Sequence, residues 1–132
     1  CIANAGVTLP HGMGMAIGGM YPQVAHGQAL AIVYPACTQF TWRDAIDRYA
    51  FLSRTFNQEL NGLCDEEAAK MAPNEIVRFL NKINLNQKLR EVDMPESEIE
   101  ALAKKSMVLP DYENNPRITS YEEMIQLVKD SY

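Results

Sequence analysis

Residues Leu9 to Pro35 read LPHGMGMAIGGMYPQVAHGQALAIVYP, and the way this stretch folds decides the rest of the chain. It holds both histidines of the 132-residue sequence, His11 and His26, each followed by a glycine. Around them lie small or apolar residues: Gly14, Met15, Gly18, Gly19, Ala29, Leu30 and Val33. In one continuous helix the two imidazoles would stand roughly 22 Å apart along the axis, at about 1.5 Å per residue. Two ligands of one metal ion must each come within about 2.0–2.1 Å of it. The pair can therefore serve a single ion only if the chain folds back between them. Gly18-Gly19 and Pro22 offer the break, because glycine ends helices and proline cannot continue them. The expectation is a helical hairpin with a histidine near the beginning of each arm.

Side-chain spacing is consistent with two helices. His11, Gly14, Met15 and Gly18 fall at i, i+3, i+4 and i+7 and share one face. Two of these positions lack a side chain, so another group can approach closely beside His11. His26, Ala29, Leu30, Val33 and Cys37 form the matching stripe, apolar apart from the histidine. An imidazole near a helix N-terminus is held toward its neutral form by the positive dipole end, and neutral imidazole is the metal-binding form. A pair of buried, hydrogen-bonded core histidines is the competing reading, and spacing alone leaves both open.

The string resembles the signature of the iron-containing alcohol dehydrogenase family: a histidine-glycine helix, a glycine pair, then a second histidine-glycine helix. His11 and His26 match that family's last two metal ligands. Asn4-Ala5-Gly6 and Asn115-Pro116-Arg117 are also similar to family features, so the resemblance runs from about Cys1 to Tyr132. One position departs. Many members carry a further histidine one turn after the first ligand, near the nicotinamide, and here that residue is Met15; no proton-relay role carries over.

The resemblance implies an all-α, multi-helix array like the C-terminal domain of the dehydroquinate synthase-like fold, as one helical domain over residues 1–132. It implies an N-terminal α/β domain, outside this chain, that binds NAD or NADP and supplies an aspartate and a further histidine to the metal. The activity implied is alcohol oxidation or aldehyde reduction by hydride transfer. His11 and His26 would hold a divalent ion, and imidazoles with one carboxylate suit Fe(II) or Zn(II) equally. Gly14 and Met15, with Gly18, would border the cofactor and the reacting groups. A homo-oligomer is expected.

Composition sets wider bounds. A net charge of −5 with no basic cluster argues against nucleic acid or an anionic membrane as partner. The longest apolar run, Ala29 to Cys37 interrupted by Pro35, is far short of the roughly 20 residues of a membrane span. The chain starts at Cys1 rather than Met, which reads as a piece of something larger. Three widely spaced cysteines, Cys1, Cys37 and Cys64, form no disulfide framework, which favours a reducing, cytoplasmic compartment. Cys37, on the apolar stripe, reads as a small core residue.

Beyond the histidines the pattern is helical. Thr41 is expected to cap a helix burying Ala45, Tyr49, Leu52 and Phe56, with Arg43–Asp47 and Asp44–Arg48 paired on its outer side. Asn61-Gly62 marks a turn, and Asp65 is expected to cap the next helix. Pro73 either starts a new helix or kinks the old one, ahead of a stripe of Ile76, Phe79, Leu80 and Ile83. Leu89 to Val92 reads as extended. Asp93–Glu96 and Thr119–Glu122 both have capping-box spacing. The first leads to a helix burying Ile99, Leu102 and Ala103, the second to one burying Tyr121, Met124, Ile125 and Val128. Between them Pro110 to Pro116 reads as a polar loop. Arg117 suits an interhelical pair better than an anion site.

Gly12, Gly14 and Gly18 give GxGxxxG rather than the GxGxxG dinucleotide fingerprint, and no strand pattern precedes them. No HExxH, P-loop or GxSxG occurs. Two other classes remain open: a helical interaction module with structural histidines, or a small metal scaffold using Asp44 or Asp47 as a further ligand. The chain by itself is expected to lack dehydrogenase activity.

Overall fold

The computed structural model describes residues 6–132; Cys1 and the Asn4-Ala5 pair lie outside the described residues. Among the described residues all regular structure is helical. The α-helices are α1 (Leu9–Met20), α2 (His26–Thr41), α3 (Ile46–Phe56), α4 (Asp65–Lys70), α5 (Ala72–Lys82), α6 (Ile99–Ser106) and α7 (Tyr121–Asp130). Single 3₁₀ turns at Trp42–Asp44, Gln58–Gly62, Leu89–Val92, Glu96–Glu98 and Pro110–Asn114 join several of them.

Helix α1 begins after the extended Thr8, with Pro10 in its first turn, where a missing N–H has no helical acceptor to lose. The glycine pair does not end it. Gly18 and Gly19 sit inside the last turn, and the break is Tyr21 to Ala25. A helical glycine costs only about 1 kcal/mol, whereas Pro22 forces Tyr21 out of the α region. Pro35 likewise lies inside α2 without ending it, in a helix whose Ala29, Val33 and Cys37 stripe is fully buried.

The main core is built where α1, α2, α6 and α7 meet: Met13, Ile17, Ile32, Val33, Leu102, Met124 and Val128 are all almost wholly buried. Each contributes about 1.5–3 kcal/mol by leaving water. Helices α3 and α4 pack on a satellite cluster of Trp42, Ala50, Ala68 and Ala69.

Local expectations are corrected at several points. Thr41 does not cap α3; it is the buried last residue of α2, and α3 starts five residues later. Arg43 stacks 4.4 Å over the Trp42 ring instead of meeting Asp47, and Arg48 approaches its neighbour Asp47 at 3.4 Å. The buried positions of α3 are Ala50 and Ser53, while Phe56 is exposed and stacks on Phe79. Cys64, not Asp65, precedes α4, and Asp65 pairs with Arg54 at 2.7 Å. Of the α5 stripe, Ile76 and Leu80 are buried but Phe79 and Ile83 are exposed.

Leu89 to Val92 is a 3₁₀ turn rather than extended, and Asp93 closes it in the left-handed region at φ 64° instead of capping a helix. Pro73, by contrast, does start a new helix, and α6 buries Ile99, Leu102 and Ala103 as the periodicity requires. The second capping box lies one residue later than its spacing suggested. The Glu123 N–H donates to Ser120 Oγ at 3.2 Å, and the Ser120 N–H donates back to Glu123 Oε2 at 3.0 Å. Thr119 is buried instead, and so is Leu127, while Tyr121 is exposed. Two turn-forming frames one residue apart differ only in which phase buries the apolar face, and packing selects it.

Candidate metal centre

His11 lies in the first turn of α1 and His26 is the first residue of α2. In a simple hairpin two such starts would sit at opposite ends. His11 to Met20 spans nine residues, roughly 13 Å of helix, which the connection must recover. Five connecting residues, at up to about 3.3–3.6 Å each, can carry the chain back that far. The structure uses this reach: the first turn of α2 lies beside Gly14, whose Cβ, if it had one, would be 2.9 Å from Leu30 Cδ2 and 3.6 Å from His26 Cε1. The missing side chain at Gly14 thus leaves room for the Leu30 side chain of α2 against α1. At Gly18, on the same face, a Cβ would meet nothing within 4 Å.

The two imidazoles come together, with centroids 5.2 Å apart and planes at 76°. Two rings bound to one ion through nitrogens at about 2.0–2.1 Å, at a tetrahedral angle, have centroids about 5 Å apart. An edge-to-face ring pair has a similar spacing, so hydrogen bonding is the sharper criterion. His11 Nδ1 is 2.9 Å from Asp111 Oδ2. A carboxylate only accepts, so Nδ1 carries the proton and the neutral ring keeps its lone pair on Nε2. His26 is exposed and makes no side-chain hydrogen bond among the described residues. Neither ring is a fully buried core histidine. The residues fit a divalent ion as two of its ligands, with the remainder to come from elsewhere. Among the described residues no group of three or more His, Cys, Asp or Glu side chains could hold a metal, which removes Asp44 and Asp47 as partners of the pair.

Asp111 is the residue that sequence reasoning missed. It stands in the 3₁₀ turn Pro110–Asn114, within the stretch read as a polar loop. Nothing in its neighbourhood has a periodicity or motif that would single it out, and 100 residues separate it from His11. The only local trace is Gly12. A Cβ there would lie 3.2 Å from Asp111 Cβ and 3.5 Å from its Oδ2, so the glycine after His11 makes room for the carboxylate. Asn114 Nδ2 donates to the Val7 carbonyl at 3.2 Å and ties the same turn to the chain entering α1.

Of the other candidates, Met15 is 46% exposed on the open side of α1, one turn beyond His11. Beyond His26, Gly27 and Leu30 open onto an apolar groove of about 360 Å³ that Tyr34, Phe56 and Phe79 also line. Arg117 is a structural arginine: it stacks 4.0 Å over Phe40 and donates to Glu123 at 2.5 Å. Asn115 is buried, its Nδ2 donating to Thr41 Oγ1 at 2.9 Å and to the Arg117 carbonyl at 2.8 Å. Cys37 is buried beside Met13 Sδ, and burial pushes its thiol well above the usual range. No helix among the described residues is long and apolar enough to cross a membrane.

Comparison with known proteins finds relatives along the whole chain. A family model described as "Fe-containing alcohol dehydrogenase family, C-terminal" matches residues 1–132. The probable mitochondrial hydroxyacid-oxoacid transhydrogenase of Dictyostelium discoideum is 25% identical over 144 residues, covering 97% of this chain and 26% of that protein. The NAD-dependent methanol dehydrogenase of Bacillus methanolicus is 24% identical over 128 residues, covering 97% and 33%. In fold, an alcohol dehydrogenase from Oenococcus oeni superposes with a TM-score of 0.89 at 19% identity, over 99% of this chain and 34% of that one. The chain therefore spans a quarter to a third of the length of the curated relatives it matches.

Proposed function

This chain belongs to the Fe-containing alcohol dehydrogenase family, whose C-terminal domain it matches along its length, and on that premise we propose that it is the metal-side helical domain of an NAD(P)-linked alcohol dehydrogenase. Membership brings with it alcohol and aldehyde redox chemistry and the use of a metal with a nicotinamide cofactor. Relatives are named for methanol, choline, lactaldehyde and 1,3-propanediol, and a small alcohol or its aldehyde is the substrate class proposed here. Residues 1–132 form one helical domain in this reading, and a nucleotide-binding domain supplies the dinucleotide site and the missing ligands.

The observation that carries the reading is the His11–His26 pair, 5.2 Å between centroids, with Nδ1 of His11 tied to Asp111. His11 would bind through Nε2, and His26 through a ring nitrogen left open to solvent. A bound Fe(II) or Zn(II) supplies Lewis acidity that favours loss of the alcohol proton as hydride leaves for nicotinamide. Gly14 keeps α2 close enough for both rings to face one point. Met15, one turn beyond His11 on the same face, would present an apolar thioether on the side where the nicotinamide would lie, and it offers no proton.

Metal content and NAD(P)-linked turnover of the full-length enzyme test this. His11→Ala and His26→Ala should each lose metal and most activity, because a catalytic ion needs at least three protein ligands. Met15→Ala should keep the metal and alter rate or substrate preference. A His26→Ala enzyme that retains both metal and rate would sink the proposal.

A further inference from the structure

We propose that Asp111 is a positioning residue that sets the tautomer of His11 and so aims its Nε2 lone pair at the point shared with His26. The inference rests on the reading of His11 as a metal ligand, and it adds a residue that no motif supplies.

Three features converge on it. First, Asp111 Oδ2 accepts from His11 Nδ1 at 2.9 Å, and the two side chains are only 13% and 28% exposed, so water competes poorly for the contact. Second, the carboxylate is aimed by its surroundings. The 3₁₀ turn carrying Asp111 is tied to Val7 through Asn114, two residues before α1 begins. Gly12 leaves the space that Asp111 occupies, since a Cβ there would crowd the aspartate Cβ at 3.2 Å. Third, Nδ1 and Nε2 point away from opposite sides of the imidazole. A carboxylate held on Nδ1 cannot bind the same ion as Nε2, and its effect must pass through the ring.

Carboxylates that accept from a ligating histidine fix both tautomer and ring direction, and their loss typically lowers metal affinity or activity about 10–100-fold. His26 has no such partner among the described residues, so Asp111 acts on one ring of the pair.

The test reads the tautomer directly, without metal. Proton–nitrogen correlation spectra of the protein carrying isotope-labelled histidine, at mildly alkaline pH, distinguish the Nδ1–H from the Nε2–H form. The parent should show His11 as Nδ1–H. Asp111→Ala should move His11 toward Nε2–H while the His26 signals stay in place, which also reports that the fold is kept. Asp111→Asn, nearly isosteric, should give a mixture, because an amide can present either a donor or an acceptor. Zn(II) titrated into the apo-protein should bind about 10–100-fold more weakly to Asp111→Ala than to the parent. An Nε2–H form of His11 in the parent, or an unchanged tautomer in both variants, overturns the proposal whatever the metal does. A switched tautomer with unchanged Zn(II) affinity upholds Asp111's control of the ring and instead overturns the assignment of His11 as a ligand.

Discussion

Gly14 and Gly18 lie one turn apart on the same face of α1 and should respond in opposite directions to replacement by alanine. Within a helix, glycine is less favourable than alanine by about 0.5–1 kcal/mol, since the unfolded chain loses more freedom on folding. Gly18 has nothing within 4 Å of its Cβ position, so Gly18→Ala should realise that gain and stabilise the protein. At Gly14 the new methyl would sit 2.9 Å from Leu30 Cδ2, whereas carbon atoms rest at about 3.5–4.0 Å. Leu30 must swing into the groove or α2 must move off α1. Overpacking of this kind costs about 1–3 kcal/mol, which cancels or exceeds the helical gain. The two variants should therefore differ by about 1–3 kcal/mol. Urea midpoints at unchanged m-value measure the difference. Adding Leu30→Ala to Gly14→Ala removes the collision, so the double variant should be more stable than the sum of the single changes predicts. Equal upward shifts for both glycines, or strict additivity with Leu30→Ala, would show that α2 does not rest on Gly14 and that the histidine pair is closed by something else.

Four further outcomes are expected. Burial, followed by its hydrogen bond to Glu98, raises the Tyr21 hydroxyl from an ordinary 10.0 to about 12; the stability it contributes is complete below pH 10 and lost as pH rises through about 12, so the parent should lose ground to Tyr21→Phe in alkaline denaturation over that window. Alkylation followed by peptide mapping should label exposed Cys64 in the native protein and buried Cys37 only on unfolding. Asn115→Ala strands the Thr41 hydroxyl and the Arg117 carbonyl, and should lower stability by about 1–3 kcal/mol in thermal or urea melts. The chain alone should self-associate through exposed apolar residues that include Tyr34, Phe79 and Ile83; a clean monomer in sedimentation at high concentration contradicts this.

What can be read from the residues alone is what acts over one or two turns. Pro10, the apolar periodicity of α6 and the Pro22 break are local signals, and the helices they mark are present. The presence of both histidines at helix beginnings is local too, as is the helical class of the chain. Phase is less local. Ser120 caps α7 in place of Thr119, and Thr41 is absorbed into α2, because burial of Leu127, Val128 and the α2 stripe outweighs the preference of a single cap.

The site itself is a tertiary product. Two histidines 15 positions apart along the chain meet only because Tyr21 to Ala25 run back along α1 and because Leu30 fits where Gly14 has no side chain. Asp111 reaches His11 across 100 residues. The sequence alone determined that the chain would be helical, that a break falls at Pro22, and that its two histidines stand at helix beginnings. The tertiary structure decided that those two rings stand 5.2 Å apart and that Nδ1 of His11 is the nitrogen held by Asp111. Helix signals arise from neighbours along the chain, whereas the direction of an imidazole is set by whatever side chain packing brings to its other nitrogen.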